Sequence, residues 1–239
     1  MSLVLAQQWH DKALIVTDTL ASTLEGDSYR PRGFSTKIHT LPHMNMVFAF
    51  RGVSRLAALW EHELTEVSKC QDIEDAHEVA ASRLKHRVES VARKHDLPPE
   101  KSGASFYCFG FPHGSAQMVS YAYENANEYA GERFEVSSPS GPEYEEVRFL
   151  AAPSLQTSIA PDVLLERADY IDYATRVKDE HDRGLVDEVI PIGGDLFATF
   201  VENWKIRTVL WHRFHDYDTT ASPTTMSTST SAAGTTAAA

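Results

Sequence analysis

Two stretches of this chain, 3–6 and 47–50, are apolar at consecutive rather than alternate positions. Successive side chains of a strand point to opposite faces, so a strand apolar at every position needs cover on both. A sheet with one wet face would not satisfy these segments. Further strands are expected around them. Residues 3–8 and 13–17 flank the polar turn His10-Asp11-Lys12, and 37–41 and 44–50 flank Pro42-His43. Residues 24–35, rich in Gly, Pro and Arg, read as an exposed loop.

Two helices follow. The first, 54–69, carries Leu56, Leu59, Trp60, Leu64 and Val67 at helical spacing. The second, 72–95, has Asp72 as its cap, Asp75 three residues on, and an inward stripe of Ile73, Ala76, Ala80, Leu84, Val88 and Val91. Strands return at 104–111 and 117–122 about His113-Gly114, with a third at 133–137. Pro161-Asp162 opens a helix to about His181, with Val163, Leu164, Ala168, Ile171 and Ala174 expected inside. A last strand pair, 196–202 and 206–214, turns at Asn203-Trp204. Strands, two helices, strands, helix, strands is the order of an α+β fold, a four-layer αββα sandwich, rather than of alternating βαβ units.

At 239 residues the chain has room for one substantial core. We expect a single domain over 1–217. From 218 to 239 the sequence is almost wholly Thr, Ser and Ala, too little apolar area to offset ordering entropy, and is expected to be a disordered tail. The net charge of −12 argues against a phosphate backbone as partner, so nucleic acid is not expected. No apolar run approaches the ~20 residues of a membrane span, and the start lacks a secretory pattern. Cys70 and Cys108 form neither a disulfide framework nor a zinc spacing. Together these point to a cytoplasmic protein with no membrane partner.

The chemistry begins at Ser2. Removal of Met1 would leave a serine whose hydroxyl lies beside its own α-amine, a base titrating near ~7.7–8.0. Asp18 stands sixteen residues after Ser2, in Val16-Thr17-Asp18-Thr19. Lys37 opens the third strand in Ser35-Thr36-Lys37-Ile38. Gly52 stands fifteen residues after Lys37, in Phe48-Ala49-Phe50-Arg51-Gly52, where a strand gives way to a helix. In this ordered set the chain resembles the proteasome-type N-terminal nucleophile hydrolases: proteasome β subunits, the HslV peptidase and the Anbu-type bacterial homologues. The resemblance is close over 2–95 and looser to 217.

That resemblance implies a peptidase with Ser2 as nucleophile. Its amine would accept the hydroxyl proton and return it to the leaving group. Lys37 would disfavour protonation of that amine and steady the alkoxide, and Asp18 would hold Lys37. The N–H of Gly52 would donate to the oxyanion, a glycine allowing close approach. An acyl-enzyme on Ser2 would then be hydrolysed. Ala21, Ser35, Phe50 and Ser54 would shape the substrate pocket, with Arg51 beside it favouring acidic groups. The resemblance also implies a homo-oligomer, a ring or helical stack packed through helices 54–69 and 72–95. It leaves open an ATPase unfoldase as a further partner.

The chain departs from the pattern in places. Most close relatives use threonine as nucleophile. The family's glycine–serine–glycine segment is not intact, Ser154 in Pro153-Ser154-Leu155 being the nearest candidate. Its later aspartate and serine have no clean counterpart, although Asp187 and the Gly193-Gly194-Asp195 turn lie nearby. Two alternatives therefore stand beside the peptidase: an amidase of the same fold acting on small amides, and a non-catalytic scaffold subunit. His39 with His43, and His212 with His215 and Asp216, lie on strands at spacings that make no compact ligand pair. Ile192-Gly193-Gly194 lacks the rest of a phosphate loop. No metal or other cofactor is expected.

Overall fold

The computed structural model describes residues 3–25, 28–96, 103–136, 148–152, 166–186 and 191–215. The expected tail lies outside these residues. Within them the chain is α+β. One five-stranded sheet comprises β1 (Val4–Gln8), β2 (Lys12–Asp18), β10 (Arg148–Ala152), β11 (Asp195–Glu202) and β12 (Lys205–Arg213), in the order β10-β1-β2-β11-β12. A second comprises β5 (Ile38–Leu41), β6 (Met46–Gly52), β7 (Ala104–Gly110), β8 (Val119–Tyr123) and β9 (Glu132–Glu135), in sequence order. All neighbours in both sheets are antiparallel. The helices are α1 (Ser54–His62), α2 (Ile73–His95) and α3 (Arg167–Asp182).

Three core clusters account for the doubly apolar strands. Phe48 and Phe50 of β6 pack with Trp60 and Leu64 beneath α1 and with Leu84 of α2. Val47 and Ala49, on the opposite face, join Val4, Ala6 and Ile15 of the other sheet. Leu3 and Leu5 turn the other way, against Tyr170, Tyr173 and Val177 of α3. Alternate residues of β1 and of β6 thus serve different cores, as the period of two requires. Both thiols are buried, and burial pushes Cys70 up to about 11; neither is a ready nucleophile at neutral pH.

Several elements differ from expectation. Residues 24–35 are not one loop. Leu20–Glu25 and Ser28–Phe34 form a separate two-stranded ribbon, β3–β4, in which Arg32 is skipped in the register between Pro31 and Gly33. A bulge and an exposed ribbon edge tolerate Pro31, which cannot donate to a ladder. Strand β10 has no counterpart among the expected elements. The first helix changes to a π turn over Glu63–Val67 after His62. In α3, Ala168 is exposed, because the buried stripe is set by Tyr170, Tyr173, Ala174 and Val177. The expected start of that helix at Pro161, with Val163 and Leu164, lies outside the described residues. Asp72 caps α2 as expected, accepting from the N–H groups of Glu74 and Asp75 at 2.9 and 3.1 Å.

The π turn carries a buried charge. Glu63 accepts from Arg87 at 2.6 Å and from Ser68 at 3.0 Å, with Arg83 at 3.4 Å. Burial opposes its ionisation, but Arg87, Ser68 and Arg83 outweigh it and hold the carboxyl below its usual range. A depressed carboxyl contributes stability above its unfolded pKa, and that contribution is lost as pH falls through the folded value. Glu63→Gln is therefore expected to cost about 2 kcal/mol at neutral pH. The gap from the parent protein should close below about pH 4, as read by chemical denaturation across pH.

Candidate functional site

Asp18 is the last residue of β2, and Lys37 immediately precedes β5. The β3–β4 ribbon leaves from one and returns to the other. Asp18 is 0% exposed and Lys37 3%. Lys37 Nζ donates to Asp18 Oδ1 at 2.8 Å and to the carbonyl of Leu20 at 2.5 Å. The same Oδ1 accepts the backbone N–H of Leu3 at 2.8 Å, and Oδ2 accepts that of Gly193 at 3.2 Å. One carboxylate therefore ties the start of β1, the end of β2, the start of β5 and the turn before β11. A buried pair is tolerated when the remaining lone pairs are also satisfied, and here two backbone donors do so. Lys37's own carbonyl accepts from Phe50 at 3.1 Å, which fixes it to β6.

Burial lowers the proton affinity of Lys37, outweighing the opposing effect of Asp18; the charge of Arg51 pushes in the same direction as burial. Its proton is held less tightly than that of an ordinary lysine, the condition under which a lysine takes part in proton transfer.

Gly52 ends β6 at φ +106°. A Cβ there would lie 2.4 Å from the carbonyl oxygen of Gly103 and 2.7 Å from the Cα of Ala104. The position therefore requires glycine both for its backbone conformation and for room. Helix α1 begins two residues later, and its N-cap, Val53, supplies no side-chain acceptor. The positive end of the helix dipole is thus uncapped by the Val53 side chain beside Gly52.

A cleft of about 480 Å³ adjoins the pair, with Thr19, Phe34, Ser35, Thr36, Gly194 and Asp195 among its walls. Of the residues expected to form a substrate pocket, Ser35 lines this cleft. Ala21 is paired with Gly33 in the ribbon. Phe50 is buried in the core beneath α1, its ring tilted against His39. Ser54 is exposed at the first turn of α1. The structure thus brings Asp18 and Lys37 into contact, and of the four expected pocket residues it places Ser35 in the wall of this cleft. Ser2, Ser154 and Asp187 lie outside the described residues.

His39 pairs with Glu61 at 2.7 Å and stacks on Phe48. His212 packs edge-on against Phe214. Among the described residues no group of three or more His, Cys, Asp or Glu side chains converges, and no helix is long and apolar enough to cross a membrane. The Leu3 and Gly193 amides and the Leu20 carbonyl are the groups that reasoning from side chains misses. The Gly193-Gly194 pair beside Asp195 is the available signal for one of them.

No family model matches the chain, and no curated protein matches it. Among solved structures it is similar to a Gly-1 mutant of Anbu from Hyphomicrobium sp. strain MC1, with a TM-score of 0.53 at 13% identity. The match covers 88% of this chain and 87% of that one. The fold is proteasome-like. At that identity the likeness speaks for the fold alone; what speaks for the site is the geometry of Asp18, Lys37 and Gly52.

Proposed function

We propose that the chain is a hydrolase of amide bonds that uses Ser2, freed by removal of Met1, as an N-terminal nucleophile. The observation that carries this reading is the shared oxygen of Asp18. It accepts from Lys37 and from the amide that joins Leu3 to Ser2, both at 2.8 Å. The Leu3 N–H, which follows directly on Ser2 in the sequence, thus shares its acceptor with the buried ammonium of Lys37, whose proton affinity burial lowers. Three core clusters, one joining residues of both sheets and the others packing a sheet against α1 and α2 or against α3, support a four-layer αββα order.

In this mechanism the Ser2 hydroxyl attacks the amide carbon and gives its proton to the α-amine. Lys37, held by Asp18 and the Leu20 carbonyl, opposes protonation of that amine electrostatically and stabilises the alkoxide as it forms. The N–H of Gly52 meets the oxyanion, aided by the start of α1. The protonated amine returns its proton to the leaving nitrogen. Water then cleaves the ester by the same route.

The test is covalent labelling. The intact mass of the purified protein is expected to lack Met1, and a serine-reactive inhibitor is expected to add one equivalent at Ser2. Ser2→Ala should abolish the adduct, and Lys37→Met should slow it by at least about 10³-fold. Retention of Met1, or an unlabelled Ser2 in folded protein, would instead favour the scaffold reading. Given labelling, turnover of peptides against small amides separates a peptidase from an amidase.

A further inference from the structure

We propose that the cleft beside the Asp18–Lys37 pair binds a peptide through a carboxylate adjoining an aromatic or large aliphatic side chain. The cleft and the buried pair share their framework. Asp18, Lys37 and Gly193 hold one another on one side, and the next or preceding residue of each segment, Thr19, Thr36 and Gly194, stands in the cleft wall. Its volume of about 480 Å³ lies within the range of small-ligand sites.

The apolar part is aromatic. Phe34, Phe197 and Phe214 contribute to the wall, and Phe34 is left 48% exposed. Three aromatic side chains on one concave wall offer a ligand a contiguous apolar surface. Phe34 owes its place to Gly194, at φ +74°. A Cβ there would stand 2.6 Å from Thr19 Oγ1 and 2.7 Å from the Phe34 ring. Thr19 Oγ1 accepts the N–H of Asp195 at 2.9 Å, so the wall is fixed by its own hydrogen bonds.

The charged part is Arg213. Its Nε and one terminal nitrogen donate to the two oxygens of Asp195 at 2.6 and 3.0 Å. That pairing orients the planar fork and offsets the Asp195 charge. Among the described residues the other N–H groups of the fork are left for a second carboxylate, a geometry for which guanidinium is suited. Thr19, Ser35 and Thr36 add neutral hydroxyls. As a substrate preference this inference rests on the hydrolase reading; as a binding site it does not.

The experiment measures binding by fluorescence anisotropy to the full chain carrying Ser2→Ala, so that turnover plays no part. The probes are fluorescein-labelled Ala-Ala-Ala-Phe with a free C-terminal carboxylate, the same peptide as its amide, and Ala-Phe-Asp-Ala amide. Binding of the first but not the second assigns the carboxylate to the chain end; binding of the third but not the second assigns it to a side chain. Either result supports the site. Phe34→Ala should then weaken binding about tenfold and Arg213→Gln about fivefold, with unchanged thermal midpoints. Failure of both acidic probes to bind, equal binding of the neutral amide, or indifference to both substitutions overturns the proposal. If the probes bind but Ser2 is never labelled by the inhibitor, the hydrolase reading falls and the binding site stands.

Discussion

Asp18→Asn is expected to destabilise the protein by about 3–5 kcal/mol, because it leaves the buried ammonium of Lys37 without its counter-charge. The substitution is nearly isosteric, so lost volume does not explain the loss. The amide nitrogen introduced by the substitution would also face either the Gly193 N–H or the Leu3 N–H, setting donor against donor where the carboxylate accepts from both. Lys37 would respond by releasing its proton, its affinity already lowered by burial. For a domain of this size the change corresponds to a fall in thermal midpoint of roughly 6–20 °C. Lys37→Met should cost less, since Asp18 keeps its two backbone donors. The double substitution should recover part of the loss of Asp18→Asn. A double-mutant cycle by chemical denaturation measures that coupling, and strict additivity would show that the pair does not act as a unit.

Gly52→Ala is expected to separate stability from activity. The added Cβ meets backbone, the carbonyl oxygen of Gly103 at 2.4 Å, and backbone cannot rotate away as a flexible side chain would. At φ +106° an alanine is also unfavourable by conformation alone. Strand β6 must therefore shift at its end, at a cost of about 1–3 kcal/mol. If the Gly52 N–H receives the oxyanion, its displacement should lower the rate of Ser2 acylation by about 10²–10³-fold. Acylation kinetics alongside a melting curve read the two effects. An acylation rate unchanged in a folded but destabilised variant would remove Gly52 from the mechanism and leave it a packing residue.

The parts of this molecule legible in the sequence are those written in side chains with a period. Strands β1 and β6 show themselves because consecutive apolar residues demand two cores, and the clusters around Val47 and Phe48 show both being served. The α2 stripe and its Asp72 cap are readable for the same reason. The β3–β4 ribbon is not, because Pro31 and Gly33 signal a break wherever the bulge that accommodates them goes unseen. Ala168 reads as an inward residue by its own hydrophobicity, but the larger tyrosines impose a different phase on the helix. Asp18 and Lys37 can be picked out as a pair because their positions match those of the family the sequence resembles. What completes their environment is backbone: the Leu3 and Gly193 amides and the Leu20 carbonyl are supplied by residues whose side chains say nothing about it. The cleft is likewise hidden. Arg213 and Phe34 are far apart in the chain, and their approach depends on a glycine at 194 that reads only as a turn.

The ribbon between Asp18 and Lys37 has a topological consequence. Its base is closed by the Lys37–Asp18 contact and by the bond from the Ser35 N–H to the Thr19 carbonyl at 2.8 Å. Everything beyond that clasp is a loop in the polymer sense, and the cost of closing a loop grows only logarithmically with contour length. Doubling the ribbon would add only about 0.6 kcal/mol. The tip can therefore lengthen, shorten or change sequence at little thermodynamic cost while the clasp keeps its register, which makes this the segment where insertions should be best tolerated.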